Sequence, residues 1–133
     1  MKEVVTFLRE NPMGFLATME QGEPRVRPWG FMYEEGGKFY FCTSNTKEAY
    51  RQLTKTPTVE FSAMDKNMVW VRLRGNITFT DDLVVKGKIL SVNSFVKSIY
   101  QTPDNPIFKA FYMEHGSASI ADFSGQPPKT YTF

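Results

Sequence analysis

Met68-Val69-Trp70-Val71-Arg72-Leu73-Arg74-Gly75-Asn76-Ile77-Thr78-Phe79-Thr80 is apolar at every second position from Val69 to Phe79, with Gly75 the one exception. A period of two is that of a β-strand, whose successive side chains point to opposite faces. Val69, Val71, Leu73, Ile77 and Phe79 then face a core, and Trp70, Arg72 and Arg74 share the other face, which needs a partner. Thr58 to Met64 precedes this run across the tight turn Asp65-Lys66-Asn67, so the two read as an antiparallel pair. Upstream, Phe15 to Met19 and Arg25 to Tyr33 flank the turn Gln21-Gly22-Glu23-Pro24. Glu34-Glu35-Gly36-Gly37 then leads to a third meander strand, Lys38 to Thr43. Downstream, Phe108 to Met113, Ser117 to Phe123 and Lys129 to Phe133 read as closing strands.

Three helical stretches interrupt this pattern. Val4, Phe7 and Leu8 recur at helical spacing before Asn11-Pro12, so residues 2 to 11 read as an amphipathic helix. Asn45 to Thr54 reads as a second, with Asn45 as cap, Glu48 completing a capping box and Pro57 beyond its end. Asp81-Asp82 starts a third stretch that runs to Tyr100 as one or two helices broken near Asn93. About seven strands with helical insertions predict a mainly β, antiparallel, closed barrel, since closure removes exposed edges in a small β domain.

At 133 residues there is room for one core, and residues 1–133 read as a single domain. The net charge of +2 is too small to gather a polyanion, which argues against nucleic-acid binding. Charges interrupt every apolar run near the N-terminus, so neither a signal peptide nor a membrane span is expected. One cysteine, Cys42, and one histidine, His115, rule out an internal disulfide and a closed zinc site of Cys and His ligands, and no metal is expected. A reducing, cytoplasmic location follows as an expectation.

Two segments carry chemistry. Cys42-Thr43-Ser44-Asn45-Thr46-Lys47 places hydroxyl and amide groups and a cation where a strand hands over to a helix. Unsatisfied N–H groups at a helix N-terminus suit a phosphate; the alternative is that Asn45 or Ser44 caps the helix and Lys47 is merely solvated. Pro24-Arg25-Val26-Arg27-Pro28-Trp29 puts two guanidinium groups on one strand face, where they repel unless an anion or water intervenes. Solvent-facing arginines are the alternative here. Pro28 donates no ladder hydrogen bond and marks an edge or a ligand-facing stretch of backbone.

In order and spacing, Gly22-Glu23-Pro24, Arg27, Gly36-Gly37, Phe39-Tyr40-Phe41, Thr43-Ser44, Lys47, Thr56-Pro57 and Trp70 to Gly75 resemble the pyridoxamine 5′-phosphate oxidase-like family of FMN-binding split β-barrels. The resemblance covers nearly the whole chain. It implies a homodimer that binds FMN, with Arg27 and Lys47 on the phosphate, Thr43, Ser44 and Asn45 beside them, and Arg25 as a helper. It also implies that the backbone of Arg25, Val26, Arg27, Pro28 and Trp29 lines the flavin ring, with Cys42 nearby and Trp70 reaching in from the second subunit. For Trp70, Arg72 and Arg74 a dimer seam without cofactor contact is equally open.

The tail Ser124 to Phe133 lacks the tryptophan and the arginine-histidine-arginine-like substrate motif of true pyridoxamine phosphate oxidases. The chain therefore looks more like the short general stress and nitroimidazole-resistance-type members. The expected function is an FMN-dependent oxidoreductase that passes electrons from NADH or NADPH to a small-molecule acceptor. A non-catalytic flavin-binding or sensor module, or a heme- or deazaflavin-binding relative, is the alternative. His115 reads as a turn residue sooner than a heme ligand or proton donor.

Overall fold

In chain order the computed structural model, which describes residues 1–133, has helix α1 (Lys2–Glu10) and strands β1 (Met13–Glu20), β2 (Glu23–Gly30), β3 (Tyr33–Glu35) and β4 (Lys38–Ser44). Helix α2 (Glu48–Lys55), strands β5 (Thr58–Met64) and β6 (Trp70–Thr80), and helices α3 (Leu83–Val92) and α4 (Ser94–Tyr100) follow. Strands β7 (Phe108–Met113), β8 (Ser117–Ala121) and β9 (Lys129–Thr132) complete the chain. Every strand pair is antiparallel.

The long alternating strand β6 joins two sheets. Its first half pairs with β8, from Trp70↔Ala121 to Arg74↔Ser117, and its second half with β7, from Ile77↔Met113 to Thr80↔Ala110. The change of partner falls at Gly75 and Asn76. A Cβ on Gly75 would lie 3.1 Å from Met113 Cγ and 3.2 Å from Gly116 Cα, so the crossover is tightly packed and a side chain there would push its neighbours by a few tenths of an ångström. One half of the barrel therefore runs β2-β1-β5-β6-β8-β9 and the other β6-β7-β4-β3.

The expected parity of β6 holds: Val71, Leu73 and Ile77 are buried, and Arg72 and Arg74 are exposed. Phe41, Phe61 and Phe111, all fully buried, meet between the two halves, with Phe41 5.2 Å from Phe61 and 5.6 Å from Phe111, centroid to centroid. Helix α1 adds Val4, Phe7 and Leu8 to this core. A smaller core of Tyr33, Tyr40, Ile89, Leu90, Val96, Tyr100 and Phe108 lies under α3 and α4. Both helices start where a short acceptor side chain is available: Asp82 Oδ1 accepts from the Val84 amide at 2.8 Å and Asn93 Oδ1 from the Val96 amide at 3.0 Å. Asn93 ends one helix and opens the next, the break expected there.

Three readings are corrected. Arg25 to Tyr33 is not one strand: β2 ends at Gly30, and the chain crosses to the other sheet through Phe31, whose amide donates to Pro12, and Met32, whose amide donates to Tyr40. The meander is correspondingly broken, because β4 pairs with β3 and β7 and not with β2. There are nine strands in place of about seven.

Close packing of β1 on β5 supplies one stability prediction. A Cβ on Gly14 would stand 2.2 Å from the backbone oxygen of Ser62. Gly14→Ala should therefore cost about 1–3 kcal/mol through forced strand separation, read as a lower midpoint in urea unfolding.

Candidate functional site

Strand β2 is the edge of its sheet, which accounts for Pro24 and Pro28 within it. Its odd-numbered side chains turn towards the barrel. Trp29 is buried against Phe111, ring centroids 6.0 Å apart, while Arg25 at the open end is exposed. Arg27 lies between them, half-buried, at the rim of the core. Its Nη1 donates to Thr18 Oγ1 at 2.7 Å and its Nη2 to Gln52 Oε1 at 2.6 Å. Burial draws the Arg27 guanidinium somewhat below its ordinary pKa, partly offset by the Glu48 carboxylate, and leaves it a cation at neutral pH.

The β4–α2 turn faces this arginine. Ser44 Oγ accepts from the Thr46 amide at 3.2 Å and bonds the Thr46 hydroxyl at 2.7 Å, while the Lys47 amide donates to the Ser44 carbonyl. The turn so formed delays the helix to Glu48, which corrects the reading of Asn45 as its cap. Asn45 instead reaches Pro106 O at 3.4 Å, and the capping position is held by Lys47, with no side-chain cap. The Glu48 and Ala49 amides, the first two of α2, thus have neither an intrahelical acceptor nor a capping side chain, while the Tyr50 amide donates to the Lys47 carbonyl at 3.2 Å. Lys47 makes no ion pair or hydrogen bond through its side chain within the chain.

Between β2, the turn and α4 lies a cavity of about 400 Å³. Arg27, Pro28, Trp29, Cys42, Thr43 and Lys47 line it, so six of the residues singled out in the sequence come together there. Ser44 and Asn45 sit in the adjoining turn, while Arg25 is held outside by Glu20 and Glu23 at 3.9 and 3.4 Å. Val26 points outward from β2. Trp70 is at the start of β6 beside Phe123, ring centroids 5.0 Å apart, and does not line the cavity within this chain.

The cavity lining is of two kinds. Arg27, Thr43 and Lys47 are cationic or polar; Glu48 lines the cavity too, but its carboxylate bonds Arg51 at 3.4 Å. Met13, Met32, Phe95, Val96 and Ile99 are apolar. These five were missed in the sequence. The available signal was Phe95 and Ile99, one turn apart on α4 and both left exposed.

Thr43 Oγ1 is the one buried side-chain nitrogen or oxygen in the chain without a hydrogen-bond partner. Such a group costs about 1–3 kcal/mol while it is unpaired, and Thr43 lies on the cavity wall. Cys42 is different. Burial pushes its thiol up to about 12 despite Lys47, so it is a neutral packing group and not a nucleophile. Because the folded state holds that proton more tightly, its contribution is intact below about 9 and is lost as pH rises towards about 12. Wild-type protein should accordingly lose more thermal stability between pH 8 and pH 11 than Cys42→Ala does.

A family model described as Pyridoxamine 5′-phosphate oxidase matches residues 1–116. The chain belongs to this family. Among solved structures, a NimC/NimA family protein from Clostridium acetobutylicum is 36% identical with a TM-score of 0.90, over 100% of this chain and 92% of that one. A heme binding protein from Mycobacterium smegmatis shares 18% identity and a TM-score of 0.80, over 98% of this chain and 56% of that one. A pyridoxamine 5′-phosphate oxidase-related, FMN binding protein from Nostoc punctiforme shares 14% identity and a TM-score of 0.71, over 98% and 84%. No curated protein matches the chain. Proteins described as FMN binding and as heme binding thus share this fold, and the barrel described above is the split barrel of the family. No helix is long and apolar enough to cross a membrane.

Proposed function

We propose that the protein is a cytoplasmic FMN-binding flavoprotein that works as a homodimer and reduces a small-molecule acceptor with electrons from NADH or NADPH. The observation that carries this reading is the partnerless buried hydroxyl of Thr43, set in one cavity with two cationic side chains. Uncapped amides at the start of α2 add neutral donors. A phosphate monoester satisfies all of these at once, whereas water would leave both charges uncompensated.

FMN, when bound, supplies hydride acceptance and donation at its ring, and the protein supplies placement. Arg27, Lys47 and Thr43 hold the phosphate. The strand from Arg27 to Trp29 and the apolar wall of Met13, Met32 and Phe95 receive the flat ring and exclude water from it.

A second subunit would complete the site. On the outer face of the first sheet Met13 is 64%, Phe15 56% and Val26 67% exposed, an apolar strip too continuous for a free surface. Met13 and Pro28 belong to both the strip and the cavity, so a copy docked on the strip would wall the open side. Trp70 and Arg72 lie on the same face, two strands away.

Heme fits less well. His115, the one histidine, is exposed in the turn before β8 and does not line the cavity. An absorption spectrum with anaerobic titration tests the proposal: yellow protein, or protein that takes up added FMN, bleached by NADH or NADPH. A colourless protein that binds no flavin ends it. Binding without reduction leaves a non-catalytic flavin module, and a Soret band would give the site to heme.

A further inference from the structure

Two buried polar residues outside the cavity, Thr18 and Gln52, link Arg27 to the partly exposed carboxylate of Glu20. Thr18 is 1% and Gln52 3% exposed, an unusual place for polar side chains in a barrel of this size. Gln52 Oε1 accepts from the Thr18 hydroxyl at 2.6 Å and from Arg27 Nη2 at 2.6 Å, and Thr18 Oγ1 accepts from Arg27 Nη1 at 2.7 Å. Leu16 O takes a weaker third bond at 3.4 Å. On the far side, Gln52 Nε2 donates to Glu20 Oε2 at 2.9 Å, and Glu20 is itself held by Arg51 at 3.0 Å.

This arrangement has a direction. The Glu20 carboxylate can only accept, so it fixes the amide of Gln52 with nitrogen outward and oxygen towards the guanidinium. A flipped amide would set donor against donor at Arg27. The end of the guanidinium that carries Nη1 is thereby spent on the protein, while its Nε–H and one Nη2–H have no partner in the chain.

We propose that Gln52 is the positioning residue of the anion site: through Thr18 and Glu20 it locks Arg27 so that one edge of the guanidinium is presented to a phosphate ester. This rests on the reading that Arg27 receives the FMN phosphate. It adds that selection of FMN over the same flavin without phosphate depends on a side chain that touches neither. An arginine free to swing would lose this selectivity, because ordering it would cost rotamer entropy at each binding event.

The test compares FMN and riboflavin binding by flavin fluorescence quenching in wild type, Gln52→Met and Glu20→Gln. Methionine keeps the length of Gln52 and removes its acceptor. Wild type should bind FMN at least a hundredfold more tightly than riboflavin. Gln52→Met should lower FMN affinity about tenfold and leave riboflavin affinity unchanged, narrowing the ratio tenfold. Glu20→Gln, a change at a partly exposed side chain that spares the core, should narrow it severalfold by freeing the amide to flip. Equal losses for both flavins, or an unchanged ratio in the folded variants, would overturn the role of Gln52. A wild-type protein that does not distinguish the two flavins would overturn the phosphate site itself, a different failure.

Discussion

Arg27→Ala should weaken FMN binding by about 2 kcal/mol, roughly thirtyfold in dissociation constant, because a charge-assisted bond to a phosphate is worth about 1.5–3 kcal/mol. The loss should be largest at low ionic strength and shrink with salt less than a surface contact would, since the guanidinium is half-buried. Thr18 and Gln52 lose their charged partner in this variant, so a small fall in stability accompanies the loss of affinity. Isothermal titration of the folded variant separates the two. Lys47→Ala, at an exposed cap, should lose affinity with no change in melting temperature. An Arg27→Ala variant with wild-type affinity would remove the guanidinium from the site.

The second large effect concerns the seam between the two half-barrels. Phe111 is fully buried and packs against three other aromatic rings: Trp29, Phe41 and Phe79 lie 6.0, 5.6 and 5.6 Å away, and Phe41 in turn meets Phe61 at 5.2 Å. Phe111→Ala should cost about 3–5 kcal/mol, the transfer term plus an unfilled cavity. That is a large share of the stability of a domain this size, and it should appear in a denaturant midpoint shift at constant slope. Trp29 borders the proposed flavin site, so the same variant should bind FMN more weakly even where it remains folded. A shift under 1 kcal/mol would mean that the half-barrels are held together elsewhere.

What was legible in the sequence, and what was not, divides by the range of the interactions involved. The parity of Val69 to Phe79 reports burial directly, and the caps at Asp82 and Asn93 are decided within three residues. The break between β2 and β3 is set by distant partners: Phe31 and Met32 bond to Pro12 and Tyr40, and nothing local to them disfavours a continuous strand. Asn45 lost the cap to a competition inside the turn, where the Ser44 hydroxyl takes the Thr46 amide and moves the helix start.

In the candidate site, Arg27, Thr43 and Lys47 stood out by residue type and by their place in the family's pattern, and the fold brings all three to one cavity. The apolar wall did not stand out, since α4 meets β2 only through the fold. Gln52 did leave a mark. It stands with Ala49 and Leu53 on the buried face of α2, and a polar residue on such a face calls for a buried partner, here Arg27 and Thr18.

A crystal structure of the protein grown with FMN tests the central claim most directly. The account predicts a phosphate within hydrogen-bonding distance of Thr43 Oγ1, Arg27 and Lys47, with the ring along Arg27 to Trp29 at a boundary between two subunits. Flavin bound elsewhere, or a cavity that stays empty in crystals grown with excess FMN, would contradict it.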